Sequence, residues 1–261
     1  MKRFLLAGVV LACLASFFAS SAGATHAWST YHWARTANPF TIKLGDNLTT
    51  AEWKSDLATV SSDWSVDSRW NNPLNTTIVS GQAKGKNCRP TAGRVEVCNN
   101  TYGNNGWLGL AQIWLSGGHI TQGASKMNDT YFDTPAYNIS TEKLHVICQE
   151  VGHTFGLDHQ STTGASLDTC MDYYSNTSAS DTKSTHPNDH DYEELSLIYA
   201  HLDSTTTVGA ATASGLAVSE DAKAARVERN DRIADSTIIE TFADGSQRIT
   251  HIDWAIRSAE H

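Results

Sequence analysis

The sequence is poor in charge, and the charge it has is mainly acidic. Only 18% of its 261 residues are charged, and 28 acidic residues outnumber 19 basic ones, which gives a formal net charge of −9. A protein that binds nucleic acid or a membrane surface through phosphate groups usually presents a basic face. We therefore expect neither nucleic acid nor a membrane surface as a partner.

Several sequence motifs are also missing. The chain has no glycine-rich phosphate loop, no Gly-x-Ser-x-Gly turn of serine hydrolases and no apolar run long enough to span a membrane. Hydrophobic residues nevertheless make up 40% of the chain, with 8 Trp, 8 Tyr and 7 Phe. This is enough apolar material for a core, so the composition excludes a wholly disordered protein.

The first 24 residues have the pattern of a secretory signal peptide. Lys2 and Arg3 precede an apolar run over residues 4–19, and Ala22-Gly23-Ala24 fits the small residues of a cleavage site. The run is shorter than the roughly 20 residues that a spanning helix needs, although an uncleaved anchor is the alternative. We expect a signal peptide at 1–24, secretion to the extracellular space and no membrane association after cleavage.

Cysteine is scarce, and its number agrees with secretion. Cys13 lies in the predicted signal peptide, and the remaining four cysteines form an even set, as expected in an oxidising compartment. Four cysteines allow three pairings. We favour a local bridge between Cys88 and Cys98, which leaves Cys148 with Cys170. The spacings do not match a Cys-x-x-Cys zinc site.

Hydrophobic periodicity predicts a main domain followed by a tail. Strands are predicted over 40–44, 76–79, 94–98 and 107–115, and helices over 51–64, 141–155 and 189–202. Ser140 or Thr141 could cap the second helix.

A Ser/Thr/Ala/Gly-rich stretch and two strands around an Asp244-Gly245 turn follow the main domain. We expect a main domain at 25–203, a linker at 204–235 and a β-hairpin tail at 236–261. Because two strands alone are marginal in water, the tail should pack on the main domain or on a partner.

The most informative segment runs from Gln149 to His159 and reads QEVGHTFGLDH. Gln149 and His153 are four residues apart, so they lie one turn apart on one helix face and can point at one metal ion. Glu150 sits beside that face, where it can reach a metal-bound water. Gly156 lets the chain leave the helix in a left-handed conformation, which can bring His159 back as a third ligand. Three protein ligands with one open position are typical of a catalytic zinc site.

This segment resembles the extended zinc signature of metzincin peptidases, His-Glu-x-x-His-x-x-Gly-x-x-His. Residues 170–173, Cys-Met-Asp-Tyr, resemble the Met-turn beneath the zinc in that clan, and residues 187–192 are similar to the start of the C-terminal helix in matrixin-like members. The resemblance spans about residues 38–203, and its specific motifs lie within 145–192. It implies an α+β metzincin-like catalytic domain with a mixed β-sheet, an active-site helix and a C-terminal helix, to which the predicted hairpin is added as an extension.

The resemblance implies a zinc-dependent metalloendopeptidase that hydrolyses peptide bonds with a zinc-activated water. His153 and His159 occupy ligand positions of the family, and Gln149 stands in the place of its first histidine. Glu150 matches the general base. Tyr173 matches a tyrosine that assists catalysis in astacin- and serralysin-like relatives. We expect Zn²⁺ as the cofactor, a protein or peptide as the substrate, and a monomer.

The 170–173 segment has further implications. Met171 would form a floor below the metal and would not be a ligand. Tyr174 competes with Tyr173 for the assisting role. In this clan the active-site helix and the Met-turn converge below the metal, so the resemblance implies a bridge between Cys148 and Cys170.

Gln149 is the one departure from the family pattern, and it leaves three interpretations open. An amide oxygen is a poorer zinc donor than imidazole. Gln149 binds zinc through that oxygen, or His153 and His159 bind it with waters or a residue from elsewhere, or the site is a relic. The relic interpretation gives the alternative function, a catalytically inactive secreted binding protein. Three other histidines are interpreted as core or capping residues: His119, His145 and His251.

Overall fold

The computed structural model describes residues 26–65, 72–83, 86–209, 226–229 and 237–255. The predicted signal peptide at 1–24 lies outside the described residues. No helix in these ranges is both long and apolar enough to cross a membrane.

The described part of the chain forms nine strands and four α-helices. The strands are β1 His32–Trp33, β2 Phe40–Asn47, β3 Leu74–Ser80, β4 Val95–Asn100, β5 Trp107–Ser116, β6 His119–Asn128, β7 Arg226–Arg229, β8 Thr237–Thr241 and β9 Gln247–Trp254. The helices are α1 Ala51–Ser65, α2 Asp129–Phe132, α3 Ser140–His153 and α4 Asp189–Ile198.

The strands form one mixed sheet, which confirms the predicted α+β class. Their order is β3-β2-β4-β6-β5-β9-β8-β7, and the short β1 pairs with the start of β6. The pairs from β3 through β2 and β4 to β6 are parallel, whereas those from β6 through β5, β9 and β8 to β7 are antiparallel. Parallel pairing ends at β6, so the sheet has a parallel half and an antiparallel half.

The helices α1 and α3 pack against each other, and α3 also packs on β5 and β6. The apolar positions that predict α1, namely Trp53, Leu57, Val60 and Trp64, are all buried. Their spacing of three to four residues forms the stripe that faces the core. This packing fixes α3 between α1 and the sheet.

The ends of two helices differ from the sequence prediction. Helix α3 has Ile139 at its N-cap, without a side-chain cap hydrogen bond, and Thr141 Oγ1 instead donates to the Ser178 carbonyl at 3.0 Å. Helix α4 ends at Ile198 and not at 202. Leu202 is 55% exposed, so no buried contact extends the helix that far.

The predicted tail hairpin is present and packs on the main domain. Strand β9 pairs antiparallel with β5, from Trp107 opposite Trp254 to Leu115 opposite Gln247. A further strand, β7, lies within the range predicted as a linker and pairs with β8. The hairpin therefore extends the antiparallel half of the sheet, which removes β5 from the sheet edge.

Candidate metal centre

Helix α3 brings the residues of the QEVGH segment into the interior. Gln149, Glu150 and His153 are all buried. The absence of a side chain at Gly152 allows the close approach of α3 to the 170–173 segment, because a Cβ there would lie 2.6 Å from the Met171 sulfur. Met171 is fully buried and lies against this helix at Gly152.

Two further links hold α3 to the 170–173 segment. The disulfide between Cys148 and Cys170 is present, as is the bridge between Cys88 and Cys98, so both predicted pairings are confirmed. The side-chain Nε2 of Gln149 donates to the carbonyls of Cys170 at 3.0 Å and Asp172 at 2.7 Å. Because carbonyls only accept, these bonds fix the amide orientation and direct Gln149 Oε1 away from them. That oxygen is buried and has no hydrogen-bond partner in the described part of the chain.

The helix ends in a turn that returns His159 toward His153. Gly156 has a φ of +99°, and a Cβ there would lie 2.2 Å from the Tyr31 carbonyl oxygen. Glycine is therefore required by both the backbone conformation and the close contact, as the sequence predicts. After this turn, the ring centroids of His153 and His159 are 5.0 Å apart.

A third histidine completes the group, and it comes from the hairpin. In the sheet register His251 of β9 lies opposite Ala111 of β5. Its ring stacks on His153 with a centroid distance of 3.9 Å and meets His159 edge-on at 4.4 Å. One ring nitrogen from each of His153, His159 and His251 lies within 4.8 Å of the others. We call these three residues the α3 cluster.

The ring nitrogens of the α3 cluster have lone pairs available. His153 Nδ1 is 2.8 Å from the Leu157 carbonyl oxygen, so Nδ1 carries the hydrogen and Nε2 is unprotonated in the neutral ring. His153 Nε2, His159 Nε2 and His251 Nδ1 are buried without hydrogen-bond partners among the residues described. Buried polar atoms without partners are costly, and a bound cation would satisfy them.

Burial favours the neutral form of all three imidazoles. It lowers the pKa of His153 to about 4, with a smaller contribution from His26 that acts in the same direction. The pKa values of His159 and His251 are well below the ordinary value, first because of burial and then because the neighbouring histidines disfavour an added charge. Neutral imidazole is the form that binds zinc, at about 2.0–2.1 Å, so the donor set fits Zn²⁺.

Glu150 lies against β5 and close to the hairpin. A Cβ at Gly109 would be 2.5 Å from Glu150 Oε1, so this glycine provides the space for the carboxyl group. Burial raises the pKa of Glu150 well above its ordinary value, the Asp253 carboxylate raises it further, and the Ala111 backbone partly opposes both. Glu150 is thus a buried carboxyl group with a raised affinity for a proton, three residues before His153 on the same helix.

The two candidate tyrosines have different neighbours. The half-buried Tyr173 has its ring 5.2 Å from that of His159, and its backbone amide donates to the Ser161 carbonyl at 2.8 Å. The ring of Tyr174 instead packs near His145. The geometry therefore favours Tyr173 over Tyr174 as a residue of the site.

The sequence interpretation of the other histidines is only partly upheld. His145 is a core histidine, buried with its Nδ1 donating to the Ser184 carbonyl. His251, interpreted as a core or capping residue, is buried but belongs to the α3 cluster. The sequence contains one indication of this role. His251 and Asp253 are two residues apart in a predicted strand, so their polar side chains lie on the same face of that strand. His119, interpreted in the same way, belongs to a second group that is described below.

Comparisons with known proteins do not assign a family. No family matches the chain, and no curated protein matches it. Among solved structures, the chain is similar to the structure of myroilysin, with 12% identity and a TM-score of 0.36 over 64% of this chain and 96% of that chain. A likeness at this level carries no functional argument, so the assignment depends on the site itself.

Proposed function

We propose that the protein is a secreted zinc-dependent metalloendopeptidase that acts on proteins or peptides as a monomer. The observation that carries this proposal is the convergence of His153 and His159, with the buried Glu150 three residues before His153 on the same helix. The spacing of these residues is that of the metzincin signature. The predicted signal peptide and the two disulfides support secretion.

The α3 cluster would hold the metal. His153 and His159 are the ligands expected from the sequence, and His251 supplies the third imidazole that the replacement by Gln149 removes. Gln149 keeps its proposed place as a weaker oxygen donor, since its Oε1 is buried and unpaired within the described residues while its amide nitrogen holds the 170–173 segment. Imidazole is the better zinc donor, so we assign the third position to His251, while Gln149 stands at the fourth as a weak donor that a water displaces.

The residues around the cluster have distinct chemical roles. A bound Zn²⁺ would supply Lewis acidity, which lowers the pKa of a water to about 7 and polarises a carbonyl group. Glu150 accepts the proton of the attacking water and later donates it to the leaving amine. A raised pKa favours the protonated form that the second step needs and opposes the ionised form that the first step needs; the positive charge of a bound Zn²⁺ would lower it. The Tyr173 hydroxyl donates a hydrogen bond to the oxygen on which negative charge develops.

A catalytically inactive secreted binding protein is the second candidate. Two observations favour it: Gln149 replaces the family's first ligand, and β9 covers the β5 edge that would otherwise be free to pair with an extended peptide. Both candidates keep the fold, but only the first requires zinc-dependent hydrolysis.

The test is a combined measurement of zinc content and peptide cleavage on the purified chain. We expect cleavage that a chelator removes and added Zn²⁺ restores. His153→Ala should lose the zinc of the α3 cluster and the activity, whereas the control His186→Ala, at a half-exposed histidine paired with Asp63, should keep both. Zinc binding without cleavage would favour the inactive binding protein, and cleavage that persists in chelator would refute the zinc mechanism.

A further inference from the structure

A second group of metal-binding side chains lies where β1, β6 and the segment after α4 meet. His32 of β1 lies opposite His119 of β6 in the parallel register of these strands. His201 and Asp203 follow the end of α4. We call these four residues the Asp203 cluster; it shares no residue with the α3 cluster.

Ligand atoms of His32, His119 and Asp203 lie within 4.8 Å of one another, and His201 is close to two of these residues. Asp203 Oδ1 lies 3.3 Å from His32 Nε2, 3.2 Å from His119 Nε2 and 3.6 Å from His201 Nε2. The Nε2 atoms of His32 and His201 are 3.2 Å apart. Tetrahedral zinc with bonds of about 2.0–2.1 Å places its donor atoms about 3.3 Å from one another. These four of the six donor separations are 3.2–3.6 Å, near this value.

The hydrogen bonds of His32 point to a cation among these atoms. His32 Nδ1 is 2.7 Å from the Thr30 carbonyl oxygen, which can only accept, so Nδ1 carries the hydrogen. In the neutral ring, Nε2 is then a bare lone pair, yet it faces a carboxylate oxygen and a second imidazole nitrogen. Lone pairs that face each other repel, and a metal ion between them converts this repulsion into coordination.

Asp203 is held in the orientation that a ligand needs. Its Oδ2 accepts from the Arg35 backbone amide at 3.1 Å and from Arg35 Nη1 at 3.2 Å. Arg35 is itself 2% exposed and donates to the Tyr199 carbonyl. These bonds direct Oδ1 at the three histidines, and outer partners of this kind are a regular part of protein metal sites.

The Asp203 cluster is reachable from solvent. The His201 side chain is 54% exposed and that of His119 is 31% exposed, whereas His32 and Asp203 are largely buried. A cavity of about 450 Å³ opens beside His32 and His201. A metal ion therefore has an entry path from solvent. The ligands themselves come from three separate parts of the fold.

We propose that His32, His119, His201 and Asp203 bind a Zn²⁺ ion with a structural role. Four protein ligands leave no open position, which is typical of structural and not of catalytic zinc. The ion would join the β1 strand to β6 and to the chain after α4. This proposal does not depend on the peptidase activity or on metal binding by the α3 cluster.

The test compares zinc binding and melting temperature in chains that have been stripped of metal and reloaded with Zn²⁺. His119→Ala/His201→Ala should bind one zinc equivalent fewer than the wild type and melt at a lower temperature in the presence of zinc. The single variant His201→Ala should weaken that equivalent by more than about 100-fold, since loss of a direct ligand exceeds the 10–100-fold cost of losing an outer partner. His186→Ala is the matched control and should bind as the wild type does.

Two further results distinguish a failure of this proposal from a failure of the proposed function. In His153→Ala the equivalent assigned to the Asp203 cluster should remain, and in His119→Ala/His201→Ala the zinc of the α3 cluster should remain. His201 is exposed and follows α4, so His201→Ala should fold even if the double variant does not. A zinc content and affinity in His201→Ala equal to those of His186→Ala would overturn the proposal.

Discussion

The two histidine clusters differ in what surrounds them, and the difference separates catalysis from structure. The α3 cluster has three buried imidazoles, and the carboxyl group of Glu150, three residues before His153 on helix α3, does not belong to it. The Asp203 cluster contains its carboxylate, which Arg35 orients toward the histidines. A free carboxyl group beside an open metal position can move protons, whereas a carboxylate used as the fourth ligand closes the site.

Among the predicted changes, removal of Glu150 should have the largest effect, and it should act on peptide hydrolysis. Glu150→Ala should reduce peptide hydrolysis by about 10⁴-fold, because the general base is lost while the zinc ligands stay in place. Zinc content should remain that of the wild type. Glu193→Ala, at an exposed position of α4, is the control and should retain full activity. Undiminished cleavage in Glu150→Ala would remove the proposed mechanism.

The two disulfides should differ in their effect on the clusters. Replacing Cys148 and Cys170 by alanine opens a loop with a sequence separation of 22, which costs about 3.4 kcal/mol on the chain-entropy relation. Replacing Cys88 and Cys98 opens a loop with a separation of 10 and costs about 2.7 kcal/mol.

Denaturant unfolding followed by tryptophan fluorescence measures these losses. Only the first double variant should also weaken zinc binding by the α3 cluster, because Cys148 precedes Gln149 and Cys170 belongs to the segment that Gln149 contacts. Equal loss of zinc affinity in both double variants would contradict this link.

The third ligand can be identified by replacing His251 and then restoring zinc binding with a second substitution at Gln149. His251→Ala should weaken zinc binding by the α3 cluster about 100-fold and reduce activity with it, whereas Gln149→Ala should have a smaller effect because an amide oxygen is a weak donor. Gln149→His should tighten zinc in the wild type and restore zinc binding in the His251→Ala background. Isothermal titration and peptide cleavage measure the outcome. A rise in activity in His251→Ala would show instead that the hairpin blocks the site.

The smallest expected effect concerns the N-terminal caps of α3 and α4, the helices that precede residues of the two clusters. Asn188 caps α4 with hydrogen bonds to His190 and Asp191, and Asp191 returns a bond to the Asn188 amide in a capping box. Asn188→Ala should cost about 1 kcal/mol of stability. Ser140→Ala should cost less than about 0.5 kcal/mol, because the N-cap of α3 is Ile139. Thermal unfolding of both variants measures these losses. Equal losses of stability would support Ser140 as the cap of α3, one of the two caps that the sequence suggests.

Local features of the site could be predicted from the sequence, whereas long-range ones could not. The burial of the α1 stripe, the positive φ of Gly156 and both cysteine pairings agree with the prediction. These features depend on spacing within one segment or on a motif. The position of His251 depends on which strand β9 pairs with and in which register, and a shift by one residue would have turned its side chain to the opposite face.

The Asp203 cluster could not be predicted from the sequence for the same reason. His32 and His119 meet only because β1 pairs with the start of β6. Asp203 joins them because α4 ends at Ile198 and the chain then turns back to Arg35. No spacing rule connects these residues along the chain, since their ligand atoms come from segments that are distant in sequence.

The pairing of β9 with β5 also has a consequence for the order of folding. Gln112 and Thr250, which hydrogen-bond across these strands, are 138 residues apart in the chain. Contacts between such distant residues form late, because the entropy of closing the intervening loop opposes them until much of the fold exists. His251 therefore joins the α3 cluster only after the hairpin has docked. A chain still being synthesised would have the QEVGH helix without its third imidazole, and the timing of assembly would itself delay the onset of any hydrolysis.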